Sequence, residues 1–190
     1  MSEVLENIKT RRSVRKFRPD PVPKDILDKI IEAGLYAPSG MNRQSQIIVT
    51  ITNKEVRDRL SSLNAKIMSR DGDPFYGAPV VLVVLADKAF PTHVYDGSLT
   101  MQNLMLAAHE LGVSSCWIHR AKEEFDSEEG KELLRAAGVE GDYEGIGHCI
   151  LGYAAEPAAP AKPRNANPPP HPSAKRAEYF ILTDKCRMCR

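Results

Sequence analysis

Residues 79–86 read Pro-Val-Val-Leu-Val-Val-Leu-Ala and leave no position for a solvent-facing side chain. Successive side chains on a strand point to opposite faces, so a run that is apolar at every position must be covered on both sides. The segment is therefore expected at the centre of a sheet with structure packed above and below it.

The neighbouring segments supply that cover. Ile26, Leu27, Ile30, Ile31 and Gly34 recur at helical spacing and predict a helix that stops at Ala37-Pro38-Ser39-Gly40. Ser2 is placed to cap a shorter first helix carrying Val4, Leu5 and Ile8 and ending near Thr10. Asn53 is placed to cap a helix with Val56, Leu60, Leu63 and Ile67. The longest helix is expected from about Val94 to Leu111, with Leu99, Leu104, Leu106, Ala107, Ala108 and Leu111 over most of its surface and Gly112 at its end. A helix so apolar is buried or faces another subunit. Asp126 and Glu129 have capping-box spacing for a helix closed by Gly138. Gln46–Thr52, Val113–Ile118 and Gly145–Tyr153 complete the set of predicted strands.

The chain changes character after residue 155. Residues 156–172 hold seven of the fourteen prolines and must travel over a surface as an extended arm. A further strand, Glu178–Thr183, follows that arm and needs a distant partner, for which another subunit's sheet is a natural target. The expectation is one domain over residues 1–190, with 156–190 reaching the partner. The residues after Met1 lack the apolar run of a signal peptide, and no stretch nears the roughly 20 apolar residues of a membrane span. Four scattered cysteines make no disulfide framework, so a cytoplasmic chain with reduced thiols is expected.

Against a formal net charge of only +1, five basic residues crowd into positions 11–18. Arg11, Arg12 and Ser13 offer two forked guanidiniums and a hydroxyl, a donor set that suits a phosphate. Arg15, two residues on, would face another part of the same ligand. A solvated basic turn and a nucleic-acid or nuclear-localisation patch are the alternatives at this point. Ala37-Pro38-Ser39-Gly40-Met41-Asn42-Arg43-Gln44 sets several polar groups on a tight connection, as ordinary turns also do. Lys162 and Arg164 face one way on an extended chain and can clamp an anion, or simply keep a proline linker soluble.

In their order and local context these three motifs resemble the nitroreductase family of FMN-dependent oxidoreductases, in its shorter form. The resemblance runs from Arg11-Arg12-Ser13-Val14-Arg15-Lys16-Phe17 through the Pro38–Gln44 turn and Ile150-Leu151-Gly152-Tyr153 to Lys162-Pro163-Arg164. It implies an α+β fold whose central mixed, mainly antiparallel sheet is flanked by helices, with the C-terminal strand exchanged between subunits of a homodimer. It implies FMN as cofactor and NADH or NADPH as transient co-substrate. Arg11, Arg12 and Ser13 match positions on the FMN phosphate and ribityl chain, and Arg15 matches a cation at the flavin pyrimidine edge. Lys162 and Arg164 match a second phosphate clamp. Pro38, Ser39 and Asn42 match a segment that reaches FMN held by the other subunit, and Ile118 and His119 fall where backbone amides approach flavin N5 and O4. Where many relatives have Pro-Trp after this turn, the chain has Ser45-Gln46.

The activity implied is hydride transfer from NAD(P)H through the flavin to nitroaromatics, quinones or activated alkenes. Reductive dehalogenation, flavin modification and a non-catalytic redox sensor are the rival readings. No catalytic residue is expected, because the flavin carries the chemistry. No histidine has the spacing of a metal site, and the balanced charge and missing apolar span leave no nucleic-acid or membrane partner expected. The polar segment Ser69–Ala78 reads as a mobile loop whose Phe75 and Tyr76 are candidates to stack over the flavin. Trp117 is expected in the core, and Cys186 and Cys189 form a lone CxxC that reads as two free thiols at a frayed end.

Overall fold

The computed structural model describes residues 2–163. One compact unit runs to Ala159 and a second begins at Pro160. In the first, a sheet of order β1-β2-β4-β3 is built from β1 (Gln46–Ile51), β2 (Val80–Asp87), β3 (Ser114–Ile118) and β4 (Tyr143–Gly152). All three pairings are antiparallel. Val80 to Ala86 are all buried, as the apolar run requires. Alternate side chains of β2 feed opposite cores: Leu82 and Val84 pack with helices α2 (Lys24–Leu35) and α4 (His93–Glu110), while Val81, Val83 and Leu85 pack with Leu60, Phe75 and Phe125. The architecture is α+β, as expected. The exchanged C-terminal strand, the arm beyond Pro163 and the terminal cysteines lie outside the described residues.

Helix positions follow the apolar spacing, whereas several helix ends do not follow the expected caps. In α1 (Glu3–Thr10) Ser2 stands at the cap but its side chain makes no capping bond. In α3 (Lys54–Ile67) the Asn53 side chain does accept from the Val56 amide. Gly112 ends α4 with φ +71°, in the left-handed region that glycine enters freely. The expected Asp126 cap is replaced: a short helix, α5 (Ala121–Asp126), fills that segment, and Ser127 caps α6 (Glu128–Ala136) by accepting from the Gly130 amide. The surface of α4 is less apolar than its leucines suggest. It buries Asp96 and Thr100 and exposes Val94, Tyr95 and Leu99.

The segment between α3 and β2 is pinned, not free. Asp73 accepts from Arg57 Nη2, Ser61 Oγ and the amides of Phe75 and Gly77. Arg57, itself buried, also donates from Nε to the Ala78 carbonyl at 3.2 Å. Phe75 is driven wholly into the core, which removes it as a stacking residue; Tyr76 remains 41% exposed. Burial alone would raise the Asp73 carboxyl, but the Arg57 and Ser61 donors and the two amides outweigh it and hold the group below its ordinary value.

A carboxyl depressed in the fold adds stability above its unfolded pKa and loses it as pH falls through the lower folded value. Asp73→Asn should therefore be less stable than the parent near neutrality, with the gap closing below about pH 4. Urea unfolding on both sides of that pH reads the difference, and an equal gap on both sides contradicts the assignment.

Candidate functional site

The basic stretch is fixed at both ends. The Arg11 amide closes α1 on the Asn7 carbonyl. Beyond it Ser13 bridges Ser115 of β3 in parallel, and the Val14 amide donates to the Ser115 carbonyl at 3.0 Å. Phe17 then bridges Ala154, with the Arg18 amide donating to the Tyr153 carbonyl. Residues 13–18 thus lie along the same end of the sheet, where β3 starts and β4 finishes. Ser13 and Arg15 are exposed there.

The two arginines are used differently. Arg12 Nη1 donates to the carbonyls of Lys9 and Arg11, each at 2.7 Å, and so satisfies the open end of α1. Arg11 Nη1 is buried and has no acceptor among the described residues, and Arg12 Nε is in the same state. Two buried guanidinium N–H groups without acceptors are costly unless an anion completes them. The donor set therefore fits a phosphate group.

His109 of α4 lies beside this corner, and burial first, then Arg11, lowers its pKa. Thr10 Oγ1 donates to the Glu6 carbonyl, so its 2.8 Å contact with His109 Nε2 is one in which the imidazole N–H donates. Burial pushes the Cys149 thiol up to about 12, so it holds no negative charge to rival a ligand.

The second motif sits elsewhere. Gly40–Asn42 is a single 3₁₀ turn after α2. Asp96, in the first turn of α4, accepts from the Gly40 amide at 3.0 Å and from Thr92 Oγ1 at 2.9 Å. A Cβ at Gly40 would lie 2.3 Å from Thr92 Oγ1, so only glycine fits against the helix. Met41, Asn42 and Gln44 all have φ between 50° and 55°, an unfavourable run for side-chain-bearing residues. Ser39 Oγ accepting from the Gln44 amide and Asn42 Oδ1 accepting from Gln44 Nε2 hold the turn. Asn42 and Pro38 face solvent, with Ser39 half-buried.

Arg11 and Arg12 lie by the C-terminal turn of α4 and Asn42 by its N-terminal turn. Eighteen residues of helix separate them, about 27 Å. One chain therefore brings Arg11, Arg12, Ser13 and β3 together and leaves Pro38, Ser39 and Asn42 far from them. Ile118 ends β3, roughly 10 Å along the strand from Ser115, and His119 follows it. Lys162 is exposed in the second unit, and Arg164 lies outside the described residues. Neither the Asp96 contact nor the buried set formed by Asn64, Glu124 and His148 is visible in the sequence, although His148 is expected on or beside a packed element. Each reads as an ordinary polar residue until the fold brings its partner near.

The Nitroreductase family matches the chain over residues 8–74 and 69–153. A protein of Methanothermobacter thermautotrophicus, whose name joins NADH dehydrogenase with NAD(P)H nitroreductase, is 33% identical over 119 residues. That match spans 60% of this chain and 60% of the relative, under two thirds of the relative's length. A nitroreductase of Bacteroides fragilis solved with bound FMN superposes with a TM-score of 0.77 at 32% identity, over 86% of this chain and 94% of the other. A second FMN-bound nitroreductase, from Desulfitobacterium hafniense, gives 0.77 at 29% identity, over 86% and 95%.

Proposed function

This chain belongs to the nitroreductase family, and from that premise we propose that two copies form an oxidoreductase with FMN bound between them. Bound there, FMN would accept hydride from NADH or NADPH and pass it to an electron-poor acceptor such as a nitroaromatic, a quinone or an activated alkene. The single observation that carries this is Arg11, whose buried Nη1 lacks an acceptor among the described residues beside the exposed Ser13 hydroxyl. The FMN-bound relatives support the cofactor.

In this account Arg11, Arg12 and Ser13 hold the phosphate and ribityl chain. Arg15 sets a cation at the pyrimidine edge, where it favours the electron-rich reduced ring. Pro38, Ser39 and Asn42 serve the cofactor of the other subunit, which accounts for their distance from Arg11 within one chain. The backbone amides at the end of β3, near Ile118 and His119, meet the ring at N5 and O4. Exposed Val4, Leu5 and Ile8 on α1 and Leu99 on α4 supply apolar surface for the second copy.

The test is direct. Purified protein should take up one FMN per chain, and the bound flavin should be bleached by NADH or NADPH and re-oxidised by nitrofurazone or menadione. Failure to bind FMN in either redox state overturns the proposal. Arg15→Ala should bind FMN about as well as the parent but show a lower flavin reduction potential and slower reduction by nicotinamide. A parent-like potential would remove Arg15 from the ring.

A further inference from the structure

Asn64, Glu124 and His148 are completely buried, each with no exposed surface. The imidazole of His148 lies between the rings of Phe75 and Phe125, at centroid distances of 5.2 and 6.2 Å. Polar groups so deep in an apolar core are costly unless something is gained by ordering them. Nothing in the proposed chemistry uses these three directly.

Their contacts converge on one short piece of backbone. Asn64 Nδ2 donates to the His119 carbonyl at 2.9 Å and to Glu124 Oε1. Both partners are acceptors, which fixes the orientation of the Asn64 amide. His148 Nδ1 stands 3.4 Å from the Ile118 carbonyl, so Nδ1 carries the proton. Its Nε2 is 2.8 Å from Glu124 Oε2, although not at a good hydrogen-bonding angle. The next carbonyl, Arg120, accepts from the Glu124 amide at 3.0 Å.

Three successive carbonyls are thus held from inside. The described backbone has no cis peptide, and across a trans peptide the following N–H points opposite to the carbonyl. The amides of His119 and Arg120 are therefore directed away from the buried set, and neither meets an acceptor among the described residues. Arg120 pays for the turn with φ +78°, a conformation that persists in a non-glycine residue only when its surroundings over-determine it. Asn64, Glu124 and His148 are those surroundings.

We infer that Asn64, Glu124 and His148 are positioning residues that aim the adjacent His119 and Arg120 amides at the electron-accepting edge of the cofactor; this rests on the FMN reading above. Amides held in that direction stabilise charge that develops on the ring without having to reorganise. The three side chains act only through the backbone and touch no substrate.

Asn64→Ala releases the His119 carbonyl and is the decisive variant. Its bound FMN should have a lower reduction potential than the parent's and be reduced by nicotinamide about tenfold more slowly. The Kd for FMN should stay within about threefold, because the phosphate clamp is untouched. Amide exchange at His119 and Arg120 in the FMN-free protein should also quicken. Should Asn64→Ala fail to fold, Asn64→Asp, of the same size, puts an acceptor where the donor was and is read in the same way. A folded, FMN-loaded variant with the parent's potential and amide exchange overturns the inference. A parent that binds no FMN overturns instead the reading beneath it.

Discussion

Arg11→Ala should raise the Kd for FMN by about ten- to a hundredfold, the loss expected for one charge-assisted hydrogen bond left unmade. Fluorescence titration of the FMN-free protein measures it. A second sign belongs to the same change. Arg11 Nη1 is buried without an acceptor among the described residues, so in the FMN-free protein its burial is a cost. Removing it should leave the FMN-free variant at least as stable as the parent, while the FMN-loaded variant is less stable. Arg11→Lys keeps the charge and loses the fork, and should fall between the two. Arg12→Ala should behave differently, because Arg12 Nη1 serves the Lys9 and Arg11 carbonyls. It should cost fold stability at α1 as well as affinity. Equal behaviour of the two variants would mean that the two arginines are not divided in this way.

His148→Leu carries the largest expected loss of fold stability, about 3–5 kcal/mol, because it takes the imidazole from buried Glu124 Oε2 and leaves only Asn64, on Oε1, as a partner of that carboxyl. The rings of Phe75 and Phe125 would still pack against leucine, so the loss reads the polar pairing and not a cavity. Glu124→Gln is the contrast. Its amide can offer an oxygen to Asn64 and an N–H to His148 Nε2, so the cost should be about 1 kcal/mol. Urea unfolding of both variants decides the matter. A His148→Leu loss no greater than that of Glu124→Gln would show the contact to be incidental.

What the sequence made legible follows from physics that acts locally. The run at residues 80–86 could only be a strand covered on both sides, and it lies second in the sheet, paired on both edges. Helical spacing found α2, α3 and α4 because an apolar stripe must meet a core. What stayed hidden depends on contacts between distant residues. The segment 69–78 looks like free loop because Asp73 is polar, yet that carboxyl meets the buried Arg57 and locks Phe75 inward. Helix α5 has no cap signal, since its N-cap is Arg120 in a left-handed conformation. Asp126 has the spacing of a cap, but Ser127, one residue later, takes the Gly130 amide.

The candidate site divides in the same way. Arg11, Arg12 and Ser13 were legible as a donor set, because forked cations and a hydroxyl have few other uses side by side. Which arginine is free for a ligand was not legible, since that depends on where the end of α1 points its carbonyls. Nor was the separation of the two motifs. Arg11 and Asn42 are 31 positions apart in the chain yet stand at opposite ends of α4.

That separation makes the central claim, one FMN site built from two chains, open to a complementation measurement. Arg11→Ala and Asn42→Ala chains, each impaired alone, are mixed, unfolded and refolded together, and FMN-dependent nitrofurazone reduction is assayed. If Arg11 of one subunit and Asn42 of the other serve one cofactor, each mixed dimer regains one intact site. Random pairing then restores roughly one quarter of the parent's sites. Activity no higher than the mean of the two separate variants would contradict a shared site.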